Sequence, residues 1–342
     1  MSSNRALIIL AAALITLCGS LVALGATLDE QAQLLRGYVD PLQTADLPYR
    51  IPLLGVNADL RQYQGSALRQ QLNLMREAQI TWVRQFVFWD QVQPSAASAL
   101  DWSIYDPIIG AFAGDPQLRL VLVLMNSPDW SRDPALAPTA PPDQPADFTN
   151  FARELALRYG DVVDHYQIWD EPNLTDAWGG TEPSPAGYAG MIAAAYQAIH
   201  ANDPQAVVIA AALAPTTEDN LRNISDITYL RALYQLGAQD YFDAAAAKPY
   251  GFSEPADALN VSAEALNFPR IIALREVMEA YGDSRKHLWG SAWGWNSLPD
   301  GWQGNASIWG QVTAAQQAEY TLRALERAEE QWAWAGGLIL QH

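Results

Sequence analysis

From Ile51 to Leu340 the chain alternates two patterns. Short runs that are apolar at almost every position predict strands at Ile51–Asn57, Trp82–Phe88, Arg119–Met125, Val163–Trp169, Ala206–Ala212, Phe242–Lys248, His287–Ser291 and Gly336–Leu340. Between them apolar residues recur every three or four positions, which predicts helices at Ala67–Ala78, Ala146–Tyr159, Pro185–His200, Ile227–Leu236, Ser262–Tyr281 and Ala314–Glu330. Strands without polar alternation are buried on both faces, as in a parallel sheet. Strand and helix alternating about such a sheet predict an α/β fold, and eight repeats in about 290 residues fit a (β/α)8 TIM barrel. An open doubly wound sheet is the alternative; the Gly-rich phosphate loop that would favour it is absent. The Pro-rich stretch Pro134–Pro145 reads as a loop. The barrel domain is assigned to residues 50–342, with no eighth helix after the last strand.

Ahead of this body, Arg5 precedes an uncharged run, Ala6–Ala26, and Asp29 and Glu30 follow it. The run is about the length that crosses a bilayer and is long for the core of a cleaved signal peptide. Cleavage after Ala26 would put Leu24 where a small residue is wanted. A signal anchor is therefore preferred to a signal peptide for residues 1–26, with the body outside the cytoplasm, anchored or secreted. Cys18 follows Leu17, where a lipidation signal prefers a small residue. Residues 27–49 read as a short helix or linker, polar and acidic.

The 342 residues carry 20 Lys and Arg against 38 Asp and Glu, a formal charge of −18. Such a surface repels nucleic-acid phosphates and anionic headgroups. No nucleic-acid partner is expected, and membrane contact only through the N-terminal segment. Cys18 is the only cysteine, which excludes an internal disulfide and a Cys nucleophile in the body. The four His form no metal-binding pair, and there is no Walker signature, so neither metal nor cofactor is expected.

In a barrel of this class the loops after the strands build the site. Those ends carry Asn57; Arg84, Trp89 and Asp90; Asn126 and Trp130; Asp170 and Glu171; Lys248 and Tyr250; Trp293 and Trp295; and finally Gln341 and His342. Aromatic faces beside amides and carboxylates suit a sugar, which has an apolar C–H face and a rim of hydroxyls. A single Trp is otherwise a core residue. Lys248 is one of only two Lys. At its strand end it is placed to pair with Asp170 or Glu171, or to bind an acidic sugar.

The run Tyr166–Leu174 (YQIWDEPNL) resembles the fourth-strand motif of the clan A glycoside hydrolases, a group that includes cellulases, mannanases and β-xylosidases. Val83–Pro94 (VRQFVFWDQVQP), Asp101–Asp106 (DWSIYD) and Ser127–Trp130 (SPDW) resemble further parts of the pattern, in order. The resemblance implies a (β/α)8 barrel acting on O-glycosidic bonds of an oligo- or polysaccharide, with Glu171 as general acid/base. Four positions depart from it. Asp170 stands where the family has Asn, and Ala292 where it has the nucleophilic Glu. Lys248-Pro249-Tyr250 replaces His-x-Tyr, and Gln341 and His342 stand near a usual Trp.

A retaining glycosidase needs two carboxyls about 5–5.5 Å apart, and Ala292 offers none. An inverting one tolerates about 6.5–9.5 Å, with Asp170, Asp90 or Glu254 as candidate base. Two readings follow: an exported hydrolase using Glu171 and Asp170, or a non-catalytic carbohydrate-binding barrel. Both expect Glu171, Asp170, Arg84, Lys248, Tyr250, Trp293 and Trp295 to converge at one mouth.

Overall fold

A computed structural model describes residues 2–39, 51–299 and 301–341. The chain divides into two units, residues 1–38 and 39–342. The first contains helix α1 (Ser2–Leu34). Its stretch Leu7–Leu34 is long and apolar enough to cross a membrane, and none of that surface is buried. The helix runs on through residues 27–34, at the start of the expected linker, where Thr27 Oγ1 donates to Ala23 O at 2.9 Å and Gln33 Nε2 to Asp29 Oδ2 at 3.0 Å. Residues 40–49 of that linker lie outside the described residues, as does His342.

In the second unit eight strands close into a barrel. They are β1 (Leu54–Asn57), β2 (Trp82–Phe88), β3 (Arg119–Met125), β4 (His165–Ile168), β5 (Val207–Leu213), β6 (Ala244–Ala247), β7 (His287–Trp293) and β8 (Ala335–Leu340). Every neighbouring pair is parallel, and β8 returns to β1 with Leu54 opposite Leu338. The connections hold helices α2 (Gly65–Glu77), α3 (Trp89–Val92), α4 (Asp106–Gly110), α5 (Pro145–Tyr159), α6 (Pro185–His200), α7 (Asp226–Gln235), α8 (Ile271–Ala280) and α9 (Ala314–Gln331). Thr313 and Gln316 form a capping box at the start of α9, satisfying two backbone donors that a helix end leaves open.

Strand alternation sorts side chains into two layers. One face meets the helices: Val83 and Val87 of β2 and Leu120, Leu122 and Leu124 of β3 pack with Phe148, Phe151 and Ile192. The other face fills the barrel with strand residues alone, Trp82, Val121, Ile209, Ala212, Ala244, Ala246, Trp289 and Ile339. Near the strand starts, Trp82 meets His165 and Trp289 at centroid distances of 4.7 and 4.9 Å. Gly336 and Gly337 make room there, since a Cβ at either would collide with the Trp289 indole. Large rings opposite glycine and alanine fill this end at the density a core requires.

Of the boundaries that differ from expectation, three have a visible local reason. β4 stops at Ile168, because Trp169 takes a left-handed φ of 69°. β7 runs on to Trp293, through a register shift against β8 between Gly290 and Trp293. The helix expected from Ser262 begins only at Ile271. Arg270 Nη1 donates to the carbonyls of Ser262, Ala263 and Ala265 at 3.1, 2.8 and 2.9 Å, capturing acceptors a helix would have used. Arg270 itself is buried against Asp226, 2.7 Å away.

Candidate active site

Past Trp82 on the inward face of β2 come Arg84, Phe86 and Phe88, at the two-residue spacing of one strand face. Arg84 is 2% exposed and spends its whole guanidinium on the interior. Nε donates to Gln167 Oε1 at 3.1 Å, Nη1 to Asn57 Oδ1 at 2.9 Å and Nη2 to Asp170 Oδ1 at 2.7 Å. Asn57 in turn donates to Ser291 O on β7 at 3.0 Å, and Gln167 donates to Asp170 Oδ1 at 3.2 Å. Phe86 lies against the guanidinium, 4.8 Å from its ring centroid, and stacks on Phe88 at 5.6 Å.

Lys248, just beyond β6, joins the two carboxylates. Its Nζ donates to Asp170 Oδ2 at 2.7 Å and to Glu171 Oε1 at 2.8 Å. On a regular strand consecutive side chains face opposite sides. Here Trp169 and Glu171 both have left-handed φ values, 69° and 52°, and this irregular turn lets both carboxylates reach one ammonium. Such backbone is costly for residues other than glycine and asparagine, and it concentrates at functional sites. The turn is fastened by Glu171 N donating to Ala212 O at 3.0 Å and by buried Asn173, which donates to Ala214 O and Ile224 O, each at 2.9 Å. Asn173-Leu174-Thr175 has the Asn-x-Thr pattern of a glycan acceptor, but with its amide buried and doubly bonded a glycan there is excluded.

Burial pushes Asp170 toward its neutral form, but Lys248 and Arg84 outweigh it and hold the carboxyl below the usual range. Burial likewise disfavours the Lys248 ammonium, yet Asp170 and Glu171 raise its pKa above the ordinary lysine value. Lys248 is thus neither a nucleophile at neutral pH nor a free cation for an acidic sugar. The network contains two cations and two carboxylates. Asp170 is buried and its oxygens are taken, whereas the Glu171 side chain is 29% exposed with Oε2 still open. Half-buried Tyr250 sits in the field of Lys248, Glu171 and Asp170, its pKa raised chiefly by burial, and bridges to Gly294 beyond β7.

Six of the expected residues therefore gather: Asn57, Arg84, Asp170, Glu171, Lys248 and Tyr250. The expectation that Trp89, Trp293 and Trp295 offer open faces is corrected by their burial, at 0%, 0% and 5% exposed. Trp89 packs on Phe148 and Phe151, and Trp293 and Trp295 pack on Phe268. Trp295 also donates to Glu254 O at 2.7 Å, leaving the Glu254 side chain exposed. Asn126 and Asp90 make a separate, looser group, with Nδ2 3.4 and 3.5 Å from the two carboxylate oxygens. Burial raises the Asp90 pKa, and Asn126 partly offsets the rise. Trp130 is half-buried and donates to Gln93 O at 2.9 Å. Gln341, past β8, donates its backbone N–H to Trp293 O at 2.8 Å and has an exposed side chain. Ala292 is 1% exposed, so β7 presents a methyl and no carboxylate.

The sequence reading missed Gln167, Phe86 and Phe88. The signal was available: counting by twos from Trp82 reaches Arg84, Phe86 and Phe88, and counting from His165 reaches Gln167. A hollow of about 720 Å³ lies beside β1, β8 and α9, and among the described residues that line it Glu329 alone is charged.

No protein-family model matches the chain, and no curated protein matches it in sequence. Solved structures do share its fold. A family 39 glycoside hydrolase from Bacteroides cellulosilyticus WH2 superposes with a TM-score of 0.62 at 18% identity, over 86% of this chain and 58% of that one. A monomeric β-xylosidase from Caulobacter crescentus CB15 gives 0.57 at 18%, over 89% and 61%. A β-glucosidase from Thermotoga maritima gives 0.57 at 11%, over 85% and 89%. The chain thus spans about three fifths of the first two proteins. Its second unit shares the (β/α)8 barrel fold of these structures.

Proposed function

We propose that this protein is an extracytoplasmic carbohydrate-binding barrel on the glycoside hydrolase frame that does not cleave glycosides by the two-carboxylate route. The observation that carries this reading is the capture of both Asp170 and Glu171 by Lys248. Cleavage needs a proton donor and a second carboxylate with a free oxygen facing the sugar or a water. Both oxygens of Asp170 are hydrogen-bonded and its side chain is only 8% exposed, and Ala292 supplies nothing in its stead. The same arrangement suits binding. The Glu171 Oε2 and the Tyr250 hydroxyl offer hydrogen bonds to sugar hydroxyls, and half-buried Phe86 and Phe88, stacked on each other with the Arg84 and Arg61 guanidiniums over their faces, offer their ring edges.

A second reading, O-glycosyl hydrolysis with Glu171 as general acid/base, is favoured by the left-handed backbone kept at Trp169 and Glu171. Aryl glycosides and soluble polysaccharides separate the two. Saturable binding without turnover is the expected result. Turnover that disappears in Glu171→Gln would overturn the binding-only reading and establish the hydrolase.

A further inference from the structure

While three strand-end indoles are buried, two others stand in solvent. Trp302 is 52% exposed and Trp309 is 53% exposed, both on the loop from β7 to α9. This loop leaves the barrel just past Trp295, at the same end as the charge network. It is anchored: Asn296 Nδ2 donates to Gly310 O at 3.5 Å, Val312 N to Asn296 O at 2.9 Å, and Gln311 N to Ser253 Oγ at 3.4 Å. Gly310 approaches Phe252 and Ser253 so closely that no side chain would fit. Trp302 is fixed as well. Its Nε1 donates to Asn305 O at 2.9 Å, and its ring lies against Gly304, where a Cβ would collide. A ring held in place before binding loses little freedom on binding.

The loop that carries these rings is nearly uncharged. Asp300 is the only charged residue between Asn296 and Val312, and the loop supplies Asn, Gln and Ser. Open indoles beside uncharged hydrogen-bonding groups match the C–H faces and hydroxyl rim of a neutral sugar. Trp also favours bilayer interfaces. However, the loop has no Lys or Arg, and a chain of charge −18 is repelled by anionic headgroups. We infer that Trp302 and Trp309 form an outer sugar-binding surface that holds further units of a neutral oligo- or polysaccharide whose first units lie at the charge network. The inference rests on the carbohydrate-binding reading above.

The test is calorimetric titration of the full chain in detergent with cellohexaose, xylohexaose and mannohexaose and with the matching disaccharides. The hexaose that binds is expected to bind more tightly than its disaccharide. Trp302→Ala with Trp309→Ala should weaken the hexaose roughly tenfold and leave the disaccharide unchanged. The paired Trp→Tyr variant should restore most of the loss, since it keeps a ring at each place. Equal hexaose affinity in wild type and the paired Ala variant overturns this inference and leaves the carbohydrate reading standing. No binding of any hexaose to wild type overturns both. In vesicles of brominated phosphatidylcholine, more quenching in wild type than in the paired Ala variant would put the rings in the bilayer and overturn the sugar assignment.

Discussion

Replacing Asp170 by Asn would leave Lys248 with one carboxylate and Arg84 with none. Removing one partner of a buried ion pair costs about 3–5 kcal/mol, because the remaining charge stays buried and unpaired. Asp170→Asn and Lys248→Met should each destabilise the barrel by that order, and the double variant should cost less than their sum. Denaturant titration of the solubilised full chain measures this, and additive costs would refute the coupling. The individual residues were legible beforehand, since Asp170, Glu171 and Lys248 each follow a strand and the fourth-strand motif drew the eye. Their joint geometry was not. It depends on left-handed backbone at Trp169 and Glu171, and neither residue type favours that region.

The strands show which side-chain placements a sequence can reveal. β2 was readable, because its inward face keeps a strict two-residue count from Trp82 to Phe88. β7 was not. Its register shift breaks that count, and Trp293 ends among Phe268 and Trp295 in the helix-facing layer. The barrel topology was readable from runs buried on both faces, whereas α8 was overpredicted because Arg270 takes the carbonyls of the preceding turn. The start of β4 carries a prediction of its own. Burial between Trp82 and Trp289, aided by Arg119, pulls His165 from 6.5 down to about 4, so the folded protein keeps it neutral where the unfolded chain protonates it. His165 therefore imposes no cost above pH 6.5, and the cost grows as pH falls from 6.5 to about 4. Over that window wild type should lose about 3 kcal/mol more stability than His165→Phe, which keeps a ring there without titrating. Equal pH dependence of the two unfolding curves would show that His165 is not held neutral.

At the scale of the whole chain, the N-terminal helix and the barrel make separate claims. The helix is expected to remain in the mature protein as an anchor, with Arg5 on the cytoplasmic side and the barrel outside, since an apolar span with a preceding Arg and following acids orients that way. Fractionation and N-terminal sequencing check it. A soluble form beginning near Thr27 would mean that the segment is cut off as a signal. The barrel, for its part, is sealed where its strands begin, by Trp82, His165 and Trp289. It is therefore a cup and not a tube. It offers no conduit through itself, so a protein built this way cannot pass a polymer from one side to the other. Whatever enters must back out over the rim it came in by. On the carbohydrate-binding proposal, a bound glycan would reach the charge network and leave it over one rim, with both of its ends on the same side of the barrel.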